Sequence, residues 1–383
     1  MADVHLGARH QDLGPAAAAQ RERQFAAFEA ALAVATSERA SVVLVAGDLF
    51  DSNTQPRRSV DRVAAAFRRL VESGVRVVLI PGTHDVYDSS SIYRTYDLAA
   101  LAGVPAGGDK LVVLIPERPD VVYPALDLVV YGRVFATKRA PRSPLAEFSA
   151  RAEERARWRI GMVHGSLRIP GRTEHDEVVF TEQEVAASGL DYLALGHWHS
   201  FRKGVAGETT WAYAGAPEPV AVDQDGAGQV LLVDLEEVGG TRSVRITPRA
   251  VGRTRFLQVD IDASALASQE ALVEQLAPLA DPDLVLDVRL TGVLPDALDL
   301  DDDEVERRVG GSFFRYRLQN LAVAPLPEGP LPPPDTIAGS FIRDLEARVE
   351  AADASGRAGE AEELREMLRL GRLLLDGQTV TLA

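Results

Sequence analysis

As far as about residue 250, short β-rich apolar runs alternate with stretches whose apolar residues recur every three or four positions. The runs Val42–Ala46, Val75–Ile80, Leu111–Ile115, Leu126–Tyr131, Ile160–Val163, Tyr192–Leu195, Thr210–Tyr213 and Val230–Leu235 read as strands. Between the early ones, Phe25, Phe28 and Leu32, and then Val60, Val63, Phe67 and Leu70, trace the apolar stripes of two amphipathic helices. Strands and helices in alternation predict a layered α/β domain over residues 1–250.

The pattern changes after that. Thr254–Ile261, Leu284–Thr291 and Phe313–Leu318 read as strands, with a helix near 268–279 and an acidic stretch, Asp299–Glu306, before the last strand. This mixture predicts a small α+β domain over 251–324. Pro325 to Pro334, within the segment 325–334, reads as an extended linker, because proline cannot continue a helix. Residues 335–383 read as helical: Asp335 is the expected N-cap of a helix striped by Ile337, Phe341, Leu345 and Val349. A second helix, about 359–376, would show Leu364, Met367, Leu368, Leu374 and Leu375 and stop at Gly377.

Composition narrows the class. With 46% hydrophobic residues in 383, a sizeable core can be buried. No run approaches the roughly 18 apolar residues of a membrane span, and no signal-peptide pattern opens the chain, so a cytoplasmic enzyme is the expectation. Zero cysteines exclude thiol catalysis and thiolate metal sites. The net charge of −16 argues against coating nucleic acid by bulk charge, while leaving room for a local basic groove.

Five of the seven histidines lie in short motifs at strand ends. Asp3-Val4-His5 opens the chain, Gly47-Asp48-Leu49-Phe50-Asp51 follows the first strand, and Gly82-Thr83-His84-Asp85 follows the second. His164-Gly165 and Gly196-His197-Trp198-His199 follow two later strands. Strand C-termini are where an open α/β sheet builds its site, so these loops can converge. Carboxylate and imidazole suit Mn, Fe and Zn, and a carboxylate such as Asp48 can give one oxygen to each of two ions.

The order D-x-H, GDxxD, G-x-HD, H-G, GHxH resembles the signature of calcineurin-like metallophosphoesterases. Asp3-Val4-His5-Leu6-Gly7, Gly47 to Asp51 and Tyr213-Ala214-Gly215-Ala216-Pro217-Glu218-Pro219 resemble the SbcD-like DNA-repair exonuclease branch. The resemblance implies a four-layered α/β/β/α sandwich, a small DNA-capping domain, and C-terminal helices that dock an SMC-like (SbcC-type) ATPase. It implies a homodimeric, two-metal DNA exo/endonuclease, most often with Mn²⁺. Carried over, Asp3, His5 and His199 would bind one metal, Asp48 would bridge, and His164 and His197 would bind the other with Thr83. His84 would act on the scissile phosphate, and Asp85 would orient it.

Thr83 stands where the branch has Asn, so the second metal is expected to bind more weakly or through a water. The branch delivers its first motif from an apolar strand, whereas only Met1 and Ala2 precede Asp3 here. The expectation is that the true start lies upstream or the chain is truncated, with Asp3 on a frayed end. A phosphodiesterase of small nucleotides and a catalytically weak scaffold for the ATPase are the competing readings.

Other features carry less. Arg57, Arg58, Arg62, Arg68 and Arg69 read as a solvated helix face, as do Arg151, Arg155, Arg157 and Arg159 beside Glu153 and Glu154. Arg133, Lys138, Arg139 and Arg142 form the best basic patch for a backbone contact. His10 can approach the first motif, His175 reads as a polar-loop residue, and Trp198 reads as packing. Ser89–Ser91, Tyr93 and Arg94 are candidate substrate contacts.

Overall fold

A computed structural model describes all residues except 151–155, 174, 225, 296, 297, 299, 324–330 and 378–383. Arg151, Glu153, Glu154, Arg155, Asp299 and Pro325 to Pro330 therefore lie outside the described residues. The chain divides into two compact units, Met1–Thr254 and Arg255–Ala383.

In the N-terminal unit, β1 (Val42–Ala46), β2 (Arg76–Ile80) and β3 (Leu111–Val113) form a parallel sheet in that order. A second sheet has the order β10-β11-β9-β6-β5-β4. Its strands are β4 (Asp120–Tyr123), β5 (Leu128–Arg133), β6 (Trp158–His164), β9 (Tyr192–Gly196), β10 (Arg202–Ala206) and β11 (Thr209–Tyr213). The short β7 (Ser166–Leu167) and β8 (Val179–Phe180) pair separately, and β12 (Gln229–Val238) and β13 (Thr241–Ala250) form a hairpin.

Three cores define the layers. Helices α1 (Ala17–Ser37) and α2 (Arg57–Glu72) bury Phe25, Phe28, Leu32, Val60, Val63, Phe67 and Leu70 against the odd-numbered side chains of β1. Ala46, Val78 and Ile80 of the first sheet meet Val130, Ile160 and Met162 of the second. On the far side, Val129, Val163 and Leu193 pack with Val185 of α5 (Glu182–Ala187), whose Thr181–Glu184 capping box fixes its start. Four layers in the order α/β/β/α result, as the resemblance implies. Two four-residue turns, α3 (Ile92–Thr95) and α4 (Leu98–Leu101), follow the second strand's loop.

Several elements differ from expectation. Leu126 ends a 3-10 turn, Pro124–Leu126, so β5 starts only at Leu128. β4, β10 and β13 carry charged or alternating residues that an apolar-run reading passes over. Asp3 is not frayed. Residues 1–6 run beside β1, with Asp3 N–H donating to Gly47 O at 3.1 Å and Leu6 N–H to Leu49 O at 3.0 Å, and Asp3 is 1% exposed.

The C-terminal unit holds a parallel sheet of β14 (Arg255–Asp262), β15 (Asp281–Thr291) and β16 (Phe313–Asn320). Leu272 and Leu276 of α6 (Gln269–Leu276) and Val305 and Val309 of α7 (Asp302–Val309) cover it. The acidic stretch thus starts a helix, with Asp301 accepting from Glu304 N–H at 3.0 Å. In α8 (Ile337–Ala354) the cap is Thr336 rather than Asp335, its hydroxyl accepting from Gly339 N–H at 3.0 Å. Of the expected α8 stripe, Leu345 is buried and Phe341 and Val349 pack in its cluster, whereas Ile337 is 85% exposed; Ile342, outside that stripe, is buried too. Helix α9 (Ala358–Leu375) buries Leu364 and Leu373 and leaves Met367, Leu374 and Leu375 exposed, then ends before Gly377 at φ 85°. No helix among the described residues is long and apolar enough to cross a membrane.

Candidate metal centre

The loops after β1, β2, β6 and β9 meet the opening motif. Three overlapping groups bring ligand atoms within 4.8 Å of one another: Asp3, His5 and His199; His5, Asp48 and His84; Asp3, Asp48 and His164. Backbone strain falls on three of these residues and on His197 beside them. Asp3, His5, Asp48 and His197 have φ of 54°, 50°, 50° and 101°, a region non-glycine residues rarely occupy. The flanking glycines permit close approach: a Cβ on Gly47 would strike the His164 ring, and one on Gly82 would strike the Asp48 carboxylate.

Hydrogen bonds aim each side chain. His164 Nδ1 donates to Ala46 O at 2.9 Å, which turns Nε2 toward Asp48 Oδ2, 3.0 Å away. Asp48 Oδ1 accepts from His84 N–H at 2.8 Å, leaving Oδ2 between His164 and His5, whose Nε2 is 3.8 Å away. Asp3 Oδ1 accepts from His197 N–H at 2.9 Å. His5 Nε2 and His199 Nε2 face each other at 3.1 Å. His84, with 45% of its side chain exposed, bonds through Nδ1 to Asp51 O at 3.0 Å.

Protons follow this geometry. Burial pushes Asp3 up to about 6, with His164 opposing and Asp48 assisting. Burial pulls His164 down, but the charges of Asp48 and Asp3 outweigh it and hold the ring up at about 10. Asp48 lies far below the usual carboxylate range because His164 and His5 overcome its burial. Burial, then the neighbouring His5, holds His199 down at about 3, and burial lowers His197 as well.

The donor set fits divalent cations. Asp3 Oδ2 is buried without a hydrogen-bond partner, His164 Nε2 meets only the Asp48 carboxylate, and two imidazole nitrogens at 3.1 Å need a proton or a cation between them. Oxygen and nitrogen donors without sulfur suit Mn, Fe or Zn.

Residues 1–201 match the family model of the calcineurin-like phosphoesterases. The chain belongs to that family. As a calcineurin-like phosphoesterase it is similar to the DNA double-strand break repair protein Mre11 of Aeropyrum pernix, at 31% identity over 61% of this chain and 57% of that protein. It is also similar to the uncharacterized metallophosphoesterase YhaO of Bacillus subtilis, at 27% identity over 52% of this chain and 47% of that protein. Mre11 of Sulfolobus acidocaldarius is 23% identical over 77% of this chain and 75% of that protein. The chain spans about half the length of the first two.

Not every expected residue joins the cluster. His197 packs against His164 with ring centroids 5.5 Å apart and its Nε2 lies 3.9 Å from Asp176 Oδ2, outside the three groups. Thr83 is buried at the turn beside His84. Asp85 does not bond the His84 ring; it accepts from Gly82 N–H at 2.7 Å, Phe50 N–H at 3.2 Å and Tyr93 O–H at 2.5 Å, clamping two loops together. That use takes Tyr93 out of the substrate candidates, and Arg94 stacks on Tyr87 at 4.0 Å. His10 bonds Gln24 at 2.8 Å instead of entering the site, and His175 is exposed. Trp198 stacks on Tyr213 at 4.4 Å and donates to Ser166 at 3.0 Å.

Four of the five α2 arginines pair with acids or a carbonyl: Arg57 with Asp61, Arg62 with Glu22 and Glu29, Arg69 with Glu29, and Arg68 with Leu101 O. Arg133 is held by Pro144 O at 2.8 Å and lies over Phe148, while Lys138, Arg139 and Arg142 are exposed.

Three residues that sequence reasoning did not assign a role stand behind the cluster. Asp51 Oδ1 lies 3.4 Å from His5 Nδ1. The Gln224 amide meets His199 Nδ1 at 2.6 Å while its other end holds Val220 N–H at 2.8 Å. Asp176 is held by Ser166 beside His197. Asp51 stands inside a quoted motif; Gln224 and Asp176 come from loops with no motif.

Proposed function

We propose that this calcineurin-like phosphoesterase is a divalent-cation-dependent DNA nuclease, with Mn²⁺ the foremost cation, acting in DNA repair. The convergence of Asp3, His5, Asp48, His164 and His199 carries the reading. Similarity to proteins named for double-strand break repair supports DNA as the substrate.

In this reading Asp3, His5 and His199 would hold one cation, Asp48 would serve both, and His164 and His197 with Thr83 would hold the second. Bound there, the cations would neutralise phosphoryl charge and acidify the attacking water. His84 is the catalytic residue. Its Nδ1 is fixed on the Asp51 carbonyl, so Nε2 faces the substrate phosphate and delivers a proton to the leaving 3′ oxygen. Asp85 keeps the two loops at fixed separation, and Asp51 and Gln224 hold the rings of His5 and His199.

The proposal extends to residues 251–324 as a DNA-capping domain, 325–334 as a linker, and 335–383 as the docking segment of an SMC-like, SbcC-type ATPase, in a homodimer. Exposed Ile337, Met367, Leu374 and Leu375 support an apolar contact there.

The test is release of nucleotides from end-labelled duplex DNA with Mn²⁺, comparing the wild type with His84→Ala. The wild type is expected to degrade the duplex, and the variant to lose about 10²–10⁴-fold with its metal content unchanged. Activity confined to bis-p-nitrophenyl phosphate would replace DNA with a small phosphodiester. Activity on neither would leave a scaffold.

A further inference from the structure

Among the described residues four carboxylates are buried: Asp3, Asp48 and Asp85 of the candidate centre, and Glu218. Burying a carboxylate is costly unless its oxygens are bonded, so the fourth needs an account as much as the first three. Glu218 gives both oxygens to successive backbone groups. Thr254 N–H donates to Oε1 at 2.8 Å and Arg253 N–H to Oε2 at 2.9 Å. Asp85 uses its carboxylate in the same way, on Gly82 and Phe50, to join two loops beside His84.

The segment that carries Glu218 is tied to His199 twice. Ala216 N–H donates to His199 O at 2.9 Å, and the Gln224 amide meets His199 Nδ1 at 2.6 Å while its other end holds Val220 N–H. In the other direction the segment is tied to 251–254, the last residues of the N-terminal unit. Gly228 N–H donates to Ala216 O at 2.8 Å, and Gly228 O accepts from Val251 and Gly252 at 2.9 Å each. Gln20 of α1 closes the assembly from below. Fully buried, it donates to Pro219 O at 2.9 Å and accepts from the Thr254 hydroxyl at 2.8 Å. Each polar side-chain atom of Glu218, Gln20 and Thr254 thus has a partner, and all three residues are buried.

We propose that Glu218, braced by Gln20, is a positioning residue for the cation at His199 and links that cation to the Arg253–Thr254 end of the N-terminal unit. The inference rests on the reading that His199 holds a cation. Both Glu218 oxygens are engaged at 253 and 254, so the carboxylate acts on His199 only through residues 216–224. A satisfied buried network of this kind is stiff, because no water stands ready to replace a lost bond. Linkage makes the effect mutual: the factor by which the tie strengthens cation binding is the factor by which the cation holds Arg253 and Thr254 in place.

The test is calorimetric titration of the full chain with Mn²⁺, comparing the wild type, Glu218→Gln, Gln224→Ala and the double variant. Glu218→Gln keeps the size and one acceptor oxygen, and is expected to weaken one cation about 10-fold with the other unchanged. In the double variant the loss should fall well short of the product of the two single losses, since one path carries both. Hydrogen exchange of the wild type, read on the peptide carrying Arg253 and Thr254, should slow about 10-fold on saturation with Mn²⁺. That measurement needs no variant to fold. A Glu218→Gln protein that melts lower but binds Mn²⁺ as tightly, single losses that multiply, or exchange at 253–254 that ignores Mn²⁺ would each overturn the proposal and leave Glu218 a structural clamp. A wild type that binds no Mn²⁺ would overturn the reading of the site itself.

Discussion

In the C-terminal sheet, charges of opposite sign meet across neighbouring strands and with the covering helix. Arg289 meets Asp260 at 2.7 Å and Arg317 meets Asp287 across strands, and Arg315 reaches Glu306 of α7 at 3.0 Å. The N-terminal unit also gathers charge, but its carboxylates and imidazoles are buried, partly unpartnered, and mounted on left-handed backbone. The first arrangement pairs its charges at the surface. The second is costly as a polypeptide alone and is relieved only when something else enters. Charge content therefore does not mark the functional region; buried carboxylates and imidazoles gathered on left-handed backbone do.

The sharpest way to break this contrast is Asp48→Ala. Its Oδ2 lies within 3.0 Å of His164 and 3.8 Å of His5, so removing it should empty both halves of the centre. Phosphodiester hydrolysis is expected to fall by about 10³-fold or more, with bound metal measured on the same sample; retained metal would contradict the shared role. Gln224→Ala should act more mildly. It frees the His199 ring and is expected to weaken binding of one cation about 10–100-fold, with the other unaffected, as read by calorimetric titration.

Protons sharpen the comparison next. His164 is held at about 10 against an ordinary 6.5, so its pairing with Asp48 stabilises the metal-free fold fully below 6.5. That contribution is lost as pH rises through 10. Asp3, raised from 3.8 to about 6, acts in the same sense between those values, because the folded state binds the extra proton. The melting temperature of metal-free protein should thus fall from pH 7 to pH 10, while cation binding strengthens as those protons are displaced. A flat profile would mean that the cluster does not store protons. Smallest of all, Arg289→Ala in the C-terminal sheet should leave metal content unchanged and move the melting temperature little, since exposed ion pairs contribute little.

Much of this was legible in the residues, and the exceptions have physical causes. β1 is an uninterrupted apolar run and its predicted bounds coincide with the observed ones. β10, with Arg202 and Lys203, and β13, with three arginines, have solvent on part of their surface and so lack that signal. Helix α8 was placed correctly, and Leu345, Phe341 and Val349 of its predicted stripe pack with Leu364 of α9; Ile337, the first residue of the helix, is exposed and Ile342 is buried. In the metal centre the motifs mark the residues whose side chains converge. Gln224 and Asp176 reach His199 and His197 only through loop paths that no spacing encodes.

In the proposed reading one carboxylate, Asp48, would join two cation positions. Electron paramagnetic resonance of the Mn²⁺-loaded protein tests it most directly. Two Mn²⁺ per chain with the signal of an exchange-coupled pair, as expected for ions about 3.5–4 Å apart, is the predicted result, lost in Asp48→Ala. A single uncoupled Mn²⁺ at saturation would contradict it.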